Sequence, residues 1–318
     1  MNFTEEFKHK LFGINEKNFL DSSLAVFEYQ YKTNHIYHSY CNYLKKAPDN
    51  VKQLSEIPFM PIEFFKNHAI KCGEWEEEII FKSSGTTDSG RSKHYIKDVR
   101  SYHKTAKINF EKQIGSLSQF QIVAILPSYQ EQGDSSLISM VDHFMKFSHP
   151  SSDYFLRKNI EQVLKNDRKK LLIGVSYALL DIAEKDIYST NAMVIETGGM
   201  KGRRKEITRN ELHRELKKGL GVSEVWSEYG MTELQSQAYG KDGMFTFPNW
   251  AKCLIRDIND PFSYLPENRT GGINIIDLAN VETCSFIETK DLGRYSNGYF
   301  EVLGRFDNSD IRGCNLMI

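Results

Sequence analysis

The sequence contains no run of about 18 apolar residues, so no helix long enough to cross a membrane is expected. It has no surplus of one charge. Its 41 Lys and Arg stand against 42 Asp and Glu, for a net −1. A protein gripping duplex nucleic acid or anionic lipid through a basic face needs more than that. Cysteine is sparse: Cys41, Cys72, Cys253, Cys284 and Cys314 are odd in number, widely spaced and without a CxxC pair. Neither a disulfide framework nor a zinc finger is encoded, and a reducing cytoplasm is the expected compartment. The opening Met1-Asn2-Phe3-Thr4-Glu5-Glu6-Phe7-Lys8 carries early acid and no apolar stretch, unlike a secretory signal. No repeat or low-complexity tract is visible.

What the chain has in quantity is core-forming material. Of its 318 residues 40% are hydrophobic, among them 20 Phe, 16 Tyr and 3 Trp, which excludes intrinsic disorder. The length suits one large α/β unit or two smaller ones, at roughly 150 residues per domain.

Residues 1–66 read as mainly helical, with apolar residues at Phe19, Leu20, Leu24, Val26, Phe27, Tyr31, Tyr37, Tyr40 and Leu44. Pro48, Pro58 and Pro61 interrupt that pattern, so Ile57–Lys66 is expected to be an extended lead-in. Strands are expected at 78–82, 122–126, 170–175, 192–196 and 224–228. Helices are expected at about 98–115, 135–147, 158–166 and 208–219. This βα alternation predicts a mainly parallel sheet covered by helices. After about residue 240, Gly and Pro punctuate short β-like runs, as in antiparallel strands. The chain thus divides into a helical segment (1–66), an α/β core (67–240), a β-rich subdomain (241–307) and a short tail (308–318).

Lys82-Ser83-Ser84-Gly85-Thr86-Thr87-Asp88-Ser89-Gly90-Arg91-Ser92-Lys93 follows a strand directly. Its glycines allow successive backbone N–H groups to face one point, its hydroxyls add neutral donors, and Arg91 or Lys93 can neutralise an anion. An ordinary Ser/Gly surface turn has the same composition. A P-loop of NTPases is disfavoured, because Arg91 occupies the place of the required lysine.

Ser83-Ser84-Gly85-Thr86-Thr87 with Lys93 resembles the phosphate loop of the adenylate-forming superfamily of acyl-CoA ligases, luciferases and peptide-synthetase adenylation domains. Four further segments agree in order: Thr197-Gly198-Gly199, Ser227-Glu228-Tyr229-Gly230-Met231-Thr232-Glu233, Thr289-Lys290-Asp291-Leu292-Gly293, and Gly298 to Asp307 with Gly304-Arg305. Within that superfamily the chain most resembles the acyl-protein synthetases of bacterial luminescence. The lead-in Ile57-Pro58-Phe59-Met60-Pro61, Phe65-Lys66 and the terminal Arg312-Gly313-Cys314-Asn315-Leu316 carry this likeness.

The resemblance implies an α/β fold, the large adenylation domain, with the mobile C-terminal lid domain missing. It implies ATP and Mg²⁺, a fatty or other carboxylic acid substrate, acyl-adenylate formation, and a fatty-acid reductase or carrier protein as partner. Ser83, Ser84, Gly85, Thr86 and Thr87 would cradle the β/γ-phosphates with Lys93. Gly198 and Gly199 would lie beside adenine, Tyr229 would stack on it, and Glu228, Gly230 and Met231 would belong to the ATP site. Thr232 would donate to the α-phosphate, Glu233 would hold Mg²⁺, Asp291 would accept from the ribose, and Arg305 would contact ribose or phosphate. Cys314 would carry the acyl group as a thioester. Lys93 and Arg305 are the candidates to replace the lysine that the lid normally supplies.

Plainer readings stand beside these. Tyr229 suits an aromatic core, Asp291 a turn before Gly293, Gly198-Gly199 a strand-ending turn, Arg305 a surface ion pair and Cys314 a structural position. The histidines show no metal-ligand spacing and no Ser/His/Asp arrangement. A CoA or carrier-protein ligase and a non-catalytic scaffold are the rival functions.

Overall fold

A computed structural model describes residues 2–84, 90–126, 133–155, 160–189, 191–199, 204–205 and 207–305. The chain opens with helices α1 (Phe3–Lys10), α2 (Phe19–Thr33) and α3 (His35–Tyr43). The lead-in supplies a two-residue strand, β1 (Met60–Pro61), and one helical turn, α4 (Phe64–Asn67). That turn departs from the expected extended run. Proline restricts itself and the residue before it, so a helix is free to begin beyond Pro61.

A separate hairpin follows, β2 (Ile79–Lys82) and β3 (Lys93–Ile96), and then α5 (Val99–Gln113). The expected alternation runs through β4 (Gln121–Ile125), α6 (Ser136–Met145), β5 (Asp153–Tyr154), α7 (Ile160–Leu164), β6 (Lys170–Val175), α8 (Ser176–Ala183), β7 (Ala192–Thr197), α9 (Arg209–Leu220) and β8 (Val225–Tyr229). Every residue of β4 and β6 is buried, as parallel strands covered on both faces require. Sequence periodicity misses α8 because all its residues except Asp181 are buried, leaving no polar face to mark a helical period. α9 begins with a capping box, Thr208 and Glu211 each bonding the other's backbone amide.

The last third is antiparallel: β9 (Ala238–Lys241), β10 (Met244–Thr246), β11 (Ala251–Arg256), β12 (Gly271–Asp277), β13 (Phe286–Ser296) and β14 (Tyr299–Arg305). These strands continue the parallel ones in a single 12-stranded sheet, ordered β11-β12-β13-β14-β10-β9-β8-β7-β6-β4-β5, with β1 alongside β13. The strand direction changes where β9 pairs antiparallel with β8. The fold is α/β. One hydrophobic core lies under α5–α9 against the parallel strands, and a second joins the N-terminal helices and lead-in to the antiparallel strands. Gln30 and Asn34 fix that second contact by donating to the carbonyls of Asn280 and Thr283 at 3.0 and 2.9 Å.

Candidate active site

The Ser/Gly-rich segment bridges β2 and β3, with Lys82 opposite Lys93. Gly85, Thr86 and Thr87 lie outside the described residues. The base of the loop is closed by Ser83, whose amide donates to the Ser92 carbonyl at 3.1 Å and whose hydroxyl accepts from the Ser92 amide at 3.0 Å. Arg91 is engaged within the protein. Its guanidinium makes a bidentate pair with Asp134 at 3.0 and 2.9 Å and donates to the carbonyls of Ser83 and Lys82. Lys82 reaches the same carboxylate at 3.1 Å. Burial raises the Asp134 pKa, but the bonds from Arg91 and Lys82 outweigh it and hold the carboxyl below its ordinary value. Of the two cations that the sequence offers for an anion, Arg91 is thus a staple at the loop base. Lys93 is exposed, on the face of β3 opposite buried Ser92 and His94.

The second segment sits where β7 and β8 end side by side, with Thr197 in register with Glu228. The Thr197 hydroxyl donates to the Glu228 carboxylate. Gly198 and Gly199 both have left-handed φ, +76° and +66°, so their backbone turns without side chains. At Gly230 an added Cβ would stand 2.3 Å from the Glu228 carboxylate oxygen, so the bare backbone makes room for that acid. Burial pushes the Glu228 pKa up to about 7; the Thr197 bond opposes this and the Glu196 charge adds to it.

Beyond Gly230 the chain is clamped from three sides. His94 Nδ1–H donates to the Thr232 carbonyl at 2.8 Å, and Asn280 donates to the Glu233 carbonyl at 2.8 Å. The amides of Gln235 and Ser236 both donate to Asp277 at 2.9 Å. Met231 and Thr232 are partly buried, whereas Glu233 is only 4% exposed. Its carboxyl is raised by burial, while a bond from Ser92 and the charges of Arg305 and Lys66 pull the other way. Among the described residues no group of three or more His, Cys, Asp or Glu forms a metal cage. A single carboxylate beside a hydroxyl fits Mg²⁺, which keeps waters and takes much of its coordination from phosphate oxygens.

The third cluster joins distant segments. The Tyr229 hydroxyl donates to Asp291 Oδ2 at 2.7 Å, and Arg305, paired in register with Asp291, brings Nε within 3.9 Å of Oδ1. Burial raises the Asp291 carboxyl pKa. The Tyr229 ring packs with Phe245, Phe247 and Phe300 at centroid distances of 5.9, 6.3 and 5.6 Å, so most of its surface belongs to the core. Asp291 is not in a turn. Thr289-Lys290-Asp291 lies within β13, and the Thr289 hydroxyl accepts from the Asp291 amide at 3.1 Å. Cys314 lies outside the described residues.

A network that sequence reasoning missed lies beneath β7 and β8. Buried Glu196 accepts from the hydroxyls of Ser176 and Ser227, and Arg209 Nε stands 3.4 Å away. Burial raises the Glu196 pKa, but its His213, Arg209 and serine partners bring it below the ordinary value. Ser227, His213 and Glu196 do not form a nucleophilic triad. His213 meets Ser227 through Nε2 at 3.0 Å, Glu196 meets the same hydroxyl, and among the described residues His213 Nδ1 has no hydrogen-bond partner. The signal available in the sequence was a glutamate inside the apolar strand Ala192-Met193-Val194-Ile195-Glu196. Separately, a cavity of about 500 Å³ is lined by Tyr40, Tyr264, Glu288 and the lead-in residues Ile57, Pro58 and Phe59, but by none of the residues proposed to bind ATP.

Among the described residues no helix is long and apolar enough to cross a membrane. Comparison with curated proteins finds no significant sequence match. Among solved structures, ATP-bound MatB from Rhodopseudomonas palustris aligns with TM-score 0.53 and 18% identity over 73% of this chain and 49% of that one. An open conformation of 2-hydroxyisobutyryl-CoA ligase, in complex with 2-HIB-AMP and CoA, aligns with TM-score 0.72 and 12% identity over 92% of this chain and 70% of that one. At such identities the likeness is one of fold. The chain spans about half the length of MatB. A family model described as "Acyl-protein synthetase, LuxE" matches residues 1–318 without remainder. The ordered motifs, the α/β sheet that carries them and this full-length match place the chain in the acyl-protein synthetase LuxE family.

Proposed function

We propose that the protein joins a fatty or other carboxylic acid to the AMP portion of ATP and then passes the acyl group to the thiol of Cys314. The supporting observation is the Tyr229–Asp291–Arg305 cluster, which brings the second, third and fourth motif segments after the Ser/Thr/Gly loop to one place. In the first step a carboxylate oxygen attacks the α-phosphorus, the bond to the β-phosphate oxygen breaks, and pyrophosphate leaves with that electron pair. Such a transfer needs positioning and charge neutralisation more than covalent help. Asp291 would hold the ribose hydroxyls, and the carbonyls and amides near Gly198, Gly199, Glu228 and Gly230 would meet adenine. Ser83 and Ser84, with Gly85, Thr86, Thr87 and Lys93, would face the terminal phosphates. Thr232 would donate to the α-phosphate, and Arg305 would contact ribose or phosphate. Glu233 would hold Mg²⁺, which when bound neutralises phosphate charge.

In the second step the Cys314 thiolate attacks the acyl carbon and AMP departs. A thiolate is the strongest protein nucleophile near neutral pH, and Arg312 two residues away favours it. A fatty-acid reductase is the proposed recipient of the thioester. The CoA that accompanies 2-HIB-AMP in the 2-hydroxyisobutyryl-CoA ligase complex favours a second reading, in which CoA or a carrier protein accepts the acyl group and Cys314 is structural.

Carboxylate-dependent ATP–pyrophosphate exchange tests the first step. Its absence with every acid tried leaves only the scaffold reading. Glu233→Gln should abolish exchange in a folded protein. Intact mass after incubation with ATP and a fatty acid tests the second step: hydroxylamine-labile acylation lost in Cys314→Ser supports it. Thioester found only on added CoA or carrier supports the alternative.

A further inference from the structure

The lead-in that ends in Lys66 is tied to the site at both ends. Met60 and Pro61 pair in parallel with Ile287 and Glu288 of β13, and the Ile62 amide donates to the Glu288 carbonyl at 3.0 Å. Glu63 then pairs with Lys290, the residue before Asp291. Two positions on, the fully buried Phe65 ring meets the His94 ring edge-on at 5.8 Å. His94 in turn holds the Thr232 carbonyl. The strap therefore spans from the strand that carries Asp291 to the segment that carries Thr232 and Glu233.

Lys66 is the next residue after Phe65. It is exposed, and among the described residues no ion pair or hydrogen bond engages its ammonium. Its charge, with that of Arg305, nevertheless acts on the buried Glu233 carboxyl. A solvated lysine at the end of a loose loop would need no such anchorage on either side.

We infer that Lys66 is a catalytic residue of this chain, an ammonium brought by the N-terminal strap to the phosphates of ATP during acyl-adenylate formation. The inference rests on the adenylation reading above. As the carboxylate oxygen bonds to the α-phosphorus and pyrophosphate leaves, negative charge grows on the transferring and departing oxygens. A compact ammonium stabilises that charge by position alone.

The full chain, as wild type, Lys66→Met and Lys66→Arg, decides the matter through three readings: fatty-acid-dependent ATP–pyrophosphate exchange, ATP affinity by calorimetry with magnesium, and melting temperature. Lys66→Met should lose about 100-fold in exchange, the scale of one lost donor to a developing anion, while ATP affinity stays within about threefold. Lys66→Arg should recover part of the rate, and both variants should melt close to wild type, as exposed substitutions do. Exchange within about twofold of wild type in Lys66→Met overturns the proposal. So does an equal loss in both variants that follows a lowered melting temperature. A wild type with neither exchange nor ATP affinity sinks the adenylation reading itself, a result distinct from an active wild type matched by an active Lys66→Met.

Discussion

Tyr229 donates its hydroxyl to Asp291 at 2.7 Å across 62 positions of the chain, coupling the end of the last parallel strand to the middle of a long antiparallel one. Tyr229 is only 9% exposed, and the Asp291 side chain keeps 18% of its surface exposed. Tyr229→Phe should cost about 1–2 kcal/mol in denaturant unfolding, the penalty of leaving a partly buried acceptor without its donor. The loss should be larger near pH 8 than near pH 4, where the carboxyl can take a proton instead. A pH-independent cost would mean that the ring, not the hydroxyl, matters. If Asp291 holds ribose, Asp291→Ala should weaken ATP binding by about tenfold or more in calorimetry.

Arg91 and Asp134 form the staple at the base of the hydroxyl-rich loop. Both side chains keep roughly a quarter of their surface exposed, so solvent weakens the pair. Arg91→Lys abolishes the fork geometry and should destabilise by about 1 kcal/mol. A double-mutant cycle with Asp134→Asn isolates the coupling; a value of zero would show the pair to be incidental.

Glu228 has a native pKa near 7 against an ordinary 4.5, with burial the main cause. The folded state therefore keeps a proton that the unfolded chain has already released, so stability falls as pH rises through that window. Glu228→Gln removes the dependence and still offers Thr197 an acceptor. Its melting temperature should gain on wild type between about pH 5 and pH 8; a constant difference would refute the assignment.

His94 shows the opposite sign. Burial lowers its pKa from 6.5 to about 4, only partly opposed by its bond to the Thr232 carbonyl. As pH falls from 6.5 towards 4 the unfolded chain binds a proton that the native state refuses, so stability is lost there and levels off below. The ceiling is about 3 kcal/mol. His94→Asn, which keeps a donor, should lose less than wild type across that range; equal acid sensitivity would clear His94 of the effect.

Those elements whose pattern is local were readable in advance. The apolar runs of β4 and β6 announce buried parallel strands, and the Thr208–Glu211 box announces the start of α9. α8 was missed because a helix buried all round carries no amphipathic stripe. Among site residues, Glu233 and Asp291 stood out because each lies in a contiguous motif. Glu196 did not, because its partners come from three separate elements, Ser176 from α8, Arg209 and His213 from α9, and Ser227 from β8.

By itself the sequence determined the α/β class, the order of the motif segments and the residue types available for binding anions, since each depends on neighbours within a few positions. Only the tertiary structure decided how those residues are used: Arg91 is held by Asp134, Tyr229 is turned to Asp291, and Lys66, among the described residues, is left without an ion pair on an anchored strap. Charge and hydrogen-bonding capacity are carried by a residue wherever it goes. Whether they face a partner, the core or a substrate depends on which distant segment the fold lays beside it, and no spacing rule along the chain records that.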